Sequence, residues 1–128
     1  MSVREIAPAD WPSFLEQFSR EHRAWLATLE RVSEGGSRQA ELVNRKLDSV
    51  TATASGPHAI SIMVRFGTEK EPAEVVKVDA PAALRVDETR DGAARGLEIE
   101  DDRGECTRLT FRVASPPGLL DGVAPGEV

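Results

Sequence analysis

The chain has 128 residues, 40% hydrophobic and 30% charged, which is typical of one soluble globular domain. Its net charge of −6 argues against partners such as nucleic acids and anionic membranes, which attract basic surfaces. The single cysteine, Cys106, excludes an internal disulfide and a cysteine-based metal cluster, and it fits a reducing cytoplasm.

The N-terminal segment MSVREIAPADW contains no apolar core of a signal peptide, so we expect a cytoplasmic protein. A helix is predicted from about residue 11 to residue 22. Asp10 is a favourable N-cap, and Pro12 lies in the first turn, where its missing N–H costs nothing. An apolar stripe with i, i+3, i+4, i+7 spacing marks the buried face of this helix: Trp11, Phe14, Leu15 and Phe18.

The segment SREHRAWLATLERV, residues 19–32, fits two structures. Its apolar residues continue the helical spacing, and its composition favours a helix. They also alternate as in a buried strand, and the strand-rich remainder of the chain offers a long helix no helical partner. We therefore predict that the helix ends near His22 and that a strand runs from about Ala24 to Val32. This places His22 at a helix-to-strand corner.

From residue 37 onward the chain is predicted to form short strands between turns. Residues 38–47 and 49–55 are interpreted as two separate strands, and Gly56–Pro57 as the turn after them. The clearest strand is HAISIMVRF, in which alternate residues share one apolar face: Ile60, Ile62, Val64 and Phe66. Two shorter strands, EVVKV and ALRV, flank Asp79–Ala80–Pro81, and residues 88–96 are interpreted as a charged loop.

The segment GLEIEDDRGECTRLTFRV, residues 96–113, predicts a hairpin with Gly104 at a positive φ in its turn. Glu98 and Glu100 on the first strand should face Arg108 and Arg112 on the second. The inner face should carry the alternating residues Leu97, Ile99, Thr107, Leu109, Phe111 and Val113. Residues 114–128 form a Pro/Gly-rich tail that we expect to be loosely ordered.

These elements predict one domain over residues 1–128, of the α+β class and mainly β. The N-terminal helix, about 11–22, should pack on a curved antiparallel sheet or small barrel. That sheet should have about six to eight strands within residues 24–113.

Two segments resemble one family: DWPSFLEQFSREHRAWLATLE and LEIEDDRGECTRLTFRVASPPGLLDG. They are similar to the bacterial and archaeal family catalogued as domain of unknown function 5335. That resemblance implies a strand after the Trp25–Leu26 pair, although Ala27 departs from the larger residues of the family there. It implies no activity. The residues that match the family pattern at the front are Trp11, Phe14, Phe18, Ser19, Arg20, His22, Trp25 and Leu26.

No phosphate-binding glycine loop, H-E-x-x-H, C-x-x-C or G-x-S-x-G motif is present, so we predict no catalytic residue, metal ligand or cofactor. The weak candidates for binding are His22 and Trp25. His22 is either a base or ligand paired with Glu21 or, more simply, a structural residue at a helix C-terminus. Trp25 is either a partner anchor or a core residue. His58, in a turn, is interpreted as structural.

Cys106 is interpreted as an unreactive thiol, because Glu105 and Asp102 should raise its pKa. The acidic segment EIEDDRGE, residues 98–105, contains enough carboxylates for calcium but lacks the order of an EF-hand loop. A solvated hairpin explains it better.

Three classes of function are compatible with these motifs and candidate residues. We favour a non-enzymatic interaction or accessory module, with an unknown protein partner or a second copy as homodimer. The alternatives are a small-molecule binder using a barrel mouth or helix–sheet gap, and an enzyme of unrecognised type. A cavity of roughly 300 Å³ or more would favour the binder. An exposed apolar strand edge would favour the interaction module.

Overall fold

A computed structural model describes residues 2–56, 59–68 and 73–112. The elements in chain order are β1 (Ser2–Ile6), a short 3-10 turn (Pro8–Asp10), α1 (Trp11–His22), β2 (Leu26–Val32), β3 (Arg38–Gly56), β4 (Ala59–Phe66), β5 (Glu74–Asp79), β6 (Pro81–Glu88), β7 (Ala94–Asp101) and β8 (Cys106–Phe111). The eight strands form one antiparallel sheet in the order β1-β6-β7-β8-β2-β3-β4-β5. The predicted α+β architecture is confirmed, although the described strands do not close into a barrel.

β3 joins the two parts of the sheet. Its first half pairs with β2 from Arg38 to Lys46, and its second half pairs with β4 from Leu47 to Gly56. The prediction of two separate strands here is wrong. Register shifts near Asn44, which has φ 51°, and beside Asp48 insert extra residues without ending the strand. Such bulges bend a strand and break its alternation, so a continuous strand has the sequence pattern of two.

The core is one hydrophobic cluster to which α1 and all the strands contribute. Trp11, Leu15 and Phe18 of the predicted helical stripe are buried, and Phe14 packs against the cluster from its edge. The indole N–H of Trp11 donates a 2.8 Å hydrogen bond to the carbonyl oxygen of Ile6, which ties the start of α1 to the end of β1. Burial of this stripe holds a short helix that would be marginal alone.

The helix ends at His22, as predicted, and the chain turns before β2. Arg23 is extended, and Ala24 has φ 71°, a left-handed conformation that a strand excludes. The predicted strand start at Ala24 is therefore two residues early, since β2 begins at Leu26. Backbone hydrogen bonds between this corner and Leu47 of β3 fix the turn: Ala24 N to Leu47 O, 2.7 Å, and Leu47 N to Trp25 O, 2.9 Å. Asp10 occupies the predicted N-cap position, but its side chain makes no capping hydrogen bond.

Two further corrections concern strands. β1 was not predicted, because Ser2–Ile6 has a single buried apolar residue, Ile6. The predicted loop over residues 88–96 is too long, because β7 begins at Ala94 and Gly96 lies inside it. In β4, Ile60 is exposed near the strand end, whereas Ile62, Val64 and Phe66 are buried as predicted.

The β7–β8 hairpin has the predicted inner face, with Leu97, Ile99, Thr107, Leu109 and Phe111 buried, and Gly104 has φ 87°. One of its predicted charge pairings is confirmed and the other is wrong. Glu98 pairs with Arg108 at 3.2 Å, but Glu100 lies opposite Cys106 and pairs with Arg85 at 2.8 Å. His58, Val113 and the predicted tail 114–128 lie outside the described residues. The described part of the chain contains no helix with the length and apolar character that crossing a bilayer requires.

Candidate functional site

A groove of about 640 Å³ lies between α1 and the sheet, and we name it the helix–sheet groove. One wall is a face of α1, and the opposite side comes from β1, β6 and the β6–β7 turn. Trp25, the residue before β2, also lines the groove. The lining residues are Arg4, Phe14, Gln17, Phe18, Glu21, His22, Trp25, Val86, Glu88, Gly92, Ala93 and Ala94.

The inner end of the groove is an aromatic cluster around His22. Its ring centroid lies 4.4 Å from that of Phe18, 4.6 Å from that of Trp25 and 4.8 Å from that of Phe111. Trp25 also meets Phe111 edge to face at 5.1 Å. The helix, the corner and β8 thus hold the imidazole in one orientation. The structure brings the two sequence candidates, His22 and Trp25, side by side in the groove.

The protonation state of His22 follows from its contacts. Nδ1 lies 2.8 Å from the carbonyl oxygen of Phe18, and a carbonyl only accepts, so Nδ1 carries the hydrogen. Burial lowers the pKa of His22, and this outweighs the opposing effects of the Phe18 hydrogen bond and of Glu21. The ring is therefore neutral at pH 7, and Nε2 is an acceptor. Nε2 has no hydrogen-bond partner in the described part of the chain, and His22 is one of the residues that line the groove.

Charged side chains form the outer rim of the groove. The guanidinium of Arg4 pairs with Glu88 at 3.3 Å and lies 5.8 Å from the centre of the Phe14 ring. The amide of Gln17 donates a 3.1 Å hydrogen bond to Glu21. Within the described residues, no hydrogen bond joins His22 to Glu21. The described residues therefore supply no hydrogen-bonded carboxylate to His22, and an acid–base role would require one.

Small residues of the β6–β7 turn leave the space that the groove occupies. The amide of Ala93 donates to the hydroxyl of Thr89 at 3.2 Å, and Gly92 has φ 86°. Ala93 and Ala94 are buried and line the groove. The sequence pattern does not predict this wall, because the composition of the loop does not show that it faces α1.

Two other sequence candidates, Cys106 and the acidic hairpin turn, form no site among the described residues. Burial, followed by the charge of Glu98, raises the pKa of Cys106, so the predicted direction is right. Its cause differs, because neither Glu105 nor Asp102 is among the groups responsible. The carboxylate of Asp101 accepts the amide hydrogens of Arg103 at 2.9 Å and Glu105 at 3.0 Å, which is a turn and not a metal cradle. Among residues 2–56, 59–68 and 73–112, no three potential metal ligands cluster.

No family model, curated protein or solved structure matches the chain. Among the described residues, the helix–sheet groove combines aromatic side chains, an imidazole nitrogen without a hydrogen-bond partner and paired charges, which makes it the candidate site.

Proposed function

We propose that the chain is a small-molecule binding module that holds a flat, largely apolar organic ligand in the helix–sheet groove. The observation that carries this proposal is an aromatic-lined groove of about 640 Å³ between the helix and the sheet. Ligand sites commonly have volumes of about 300–1,000 Å³, with apolar walls and a few placed polar groups.

The chemistry of the groove supports binding over catalysis. His22 is neutral and fixed, but no acid is hydrogen-bonded to it within the described residues. The thiol of Cys106 has a raised pKa, whereas a nucleophilic cysteine needs a lowered one. The groove can hold and orient a molecule, and its described lining contains no nucleophile–base pair.

Filling the groove tests the proposal. Ala93 lines it and is buried, so Ala93→Leu should occupy part of its volume. The matched control is Ala40→Leu, at an exposed position of β3. A set of aromatic fragments would be titrated into each protein and followed by proton–nitrogen NMR. We expect shifts concentrated on the lining residues, and affinity at least about tenfold weaker in Ala93→Leu alone, a loss of about 1.4 kcal/mol.

Two results would contradict this function. One is the absence of binding by every fragment to the native chain. The other is binding that Ala93→Leu leaves unchanged, because the fragments would then occupy another surface. Thermal unfolding of each variant separates a filled groove from a misfolded domain.

A second candidate, self-association, is favoured by the two edge strands. β1 and β5 end the sheet order, and each carries an exposed valine, Val3 at 55% and Val75 at 50%. Strand addition by a second copy would cover such an edge. Sedimentation at increasing concentration tests it, with Val3→Lys and Val75→Lys as variants. A monomer at all concentrations would eliminate this candidate and leave the first intact.

We also propose that the chain belongs to the family catalogued as domain of unknown function 5335 and acts in the cytoplasm. The first is supported by the spacing of Trp11, His22 and Trp25 in the front segment. The second is supported by the use of one unpaired cysteine, Cys106. Fractionation of native cells with an antibody against the chain tests the location.

A further inference from the structure

We infer that the ligand of the helix–sheet groove donates an N–H or O–H hydrogen bond to Nε2 of His22. The ligand class is thus a neutral aromatic alcohol or heteroaromatic N–H compound, like a phenol or an indole. This inference rests on the proposed function and specifies the ligand for the same site.

The first support is that His22 presents an acceptor whose direction is fixed. Its Nδ1–H is held by the carbonyl oxygen of Phe18 at 2.8 Å, so a ring flip would break that bond. Ring contacts from Phe18, Trp25 and Phe111 surround the imidazole at 4.4–4.8 Å. The direction of the Nε2 lone pair is therefore set before a ligand binds.

The second support is the cost of leaving Nε2 unpaired. His22 is only 6% exposed, so a ligand in the groove would exclude the water that can reach Nε2. A buried acceptor without a donor costs roughly as much as a lost hydrogen bond. A ligand with a donor at this place avoids that cost, and a ligand without one does not.

The third support is the charge of the rim, which selects against anions. Among the described lining residues, the guanidinium of Arg4 is already paired with Glu88. Glu21 adds a further carboxylate to the same lining. A ligand carrying a carboxylate or phosphate would meet like charges there, so the aromatic donor should be neutral.

Matched fragment pairs test the inference on the full chain. One pair is 2-naphthol and its methyl ether, and the other is indole and N-methylindole. Within each pair the aromatic body is retained and the donor is lost. We expect the native chain to bind each donor about fivefold to tenfold tighter than its methylated partner, the difference one hydrogen bond makes.

Two further measurements assign that preference to His22. In His22→Phe, which keeps an aromatic ring and removes Nε2, the ratio within each pair should fall to about one. Nitrogen NMR of the native imidazole should show Nε2 bare in the free chain. Its resonance should move with 2-naphthol and not with the ether. This second readout holds even where His22→Phe fails to fold.

The outcomes separate the two proposals. If both members of each pair bind the native chain equally, the groove binds ligands and the inference about a donor is overturned. If Nε2 carries the hydrogen in the free chain, the inference is overturned as well. If none of the four fragments binds while other aromatic fragments bind at the lining residues, the inference about a donor is overturned and the proposed function stands. If no aromatic fragment binds, the proposed function itself fails.

Discussion

The hydroxyl of Ser19 forms the hydrogen bonds to the backbone of Val50 that a neighbouring strand would otherwise form. It accepts the amide hydrogen of Val50 at 2.8 Å, and it lies 3.0 Å from the carbonyl oxygen of the same residue. Its single hydrogen is shared between that oxygen and the carbonyl of Leu15, 2.8 Å away. β2 pairs only with the first half of β3, from Arg38 to Lys46. Farther along β3, a side chain of the helix forms the hydrogen bonds to the strand backbone instead. One buried serine thus fixes the helix that forms a wall of the groove.

Replacing Ser19 with alanine should destabilise the fold by about 1–3 kcal/mol, because the buried N–H of Val50 would lose its acceptor. Urea unfolding of Ser19→Ala measures this loss. Ser13→Ala is the matched control, since the hydroxyl of Ser13 is exposed and bonds only the carbonyl of Asp10, at 3.3 Å. That control should change stability by less than about 0.5 kcal/mol. Equal effects in the two variants would contradict the bridging role of Ser19.

The two tryptophans should respond differently to truncation. Trp11 is 3% exposed and hydrogen-bonded, so Trp11→Ala should cost about 3–5 kcal/mol. Trp25 is half-buried at the end of the groove, so Trp25→Ala should cost less, about 1–2 kcal/mol. Chemical unfolding compares them, and fragment titration should show weaker binding in Trp25→Ala. A larger loss of stability in Trp25→Ala than in Trp11→Ala would contradict this order.

The parts of the fold that were predictable are those with a local pattern. The helix is predictable because its stripe from Trp11 to Phe18 has one period throughout. The hairpin is predictable because alternation runs unbroken from Leu97 to Ile99 and resumes after Gly104. β3 was divided in two because the bulges near Asn44 and Asp48 shift the alternation, which the sequence shows as an end.

A helix–sheet gap is predictable from the sequence as a possible binding place, and so are its candidates His22 and Trp25, but the opposite wall of the groove is not. His22 and Trp25 are near neighbours in the chain, so their proximity follows from the corner. Arg4, Glu88 and Ala93 reach the groove only through the pairing of β1 with β6 and the return of the chain into β7. That pairing is made by the backbone of β1, and the sequence of β1 shows almost no apolar pattern that would predict a strand.

Stability should decline in acid because of His22. Burial places its folded pKa below its ordinary value of 6.5, so the unfolded chain binds the proton more readily. The contribution of neutral His22 to the free energy of unfolding is therefore fully present above about pH 6.5. It falls as the pH drops toward the pKa of His22 in the folded chain. His22→Phe removes this titration, so the unfolding free energy of the native chain should fall relative to that of the variant between about pH 7.5 and about pH 5. A difference that stays constant over this range would show that His22 does not titrate with unfolding.

Gly96 should tolerate no side chain, although its neighbours in the sequence suggest a loop. It lies in β7 opposite Thr110 of β8 and Asp87 of β6, and a Cβ there would overlap the carbonyl oxygen of Leu109. That oxygen belongs to the backbone of β8, so it cannot move without disturbing the strand. Gly96→Ala should therefore destabilise the domain by more than about 3 kcal/mol, well beyond the usual effect of a point substitution.

The matched control for that prediction is Gly35→Ala. Gly35 lies in the turn between β2 and β3, and a Cβ there meets no atom within 4 Å. Its substitution should change stability by less than about 0.5 kcal/mol. Thermal and urea unfolding of both variants provide the comparison. Because β7 and β6 adjoin the turn that forms one wall of the groove, Gly96→Ala should also weaken fragment binding where it remains folded. A stable Gly96→Ala protein with native affinity would mean that β7 and β8 are farther apart than the structure has them.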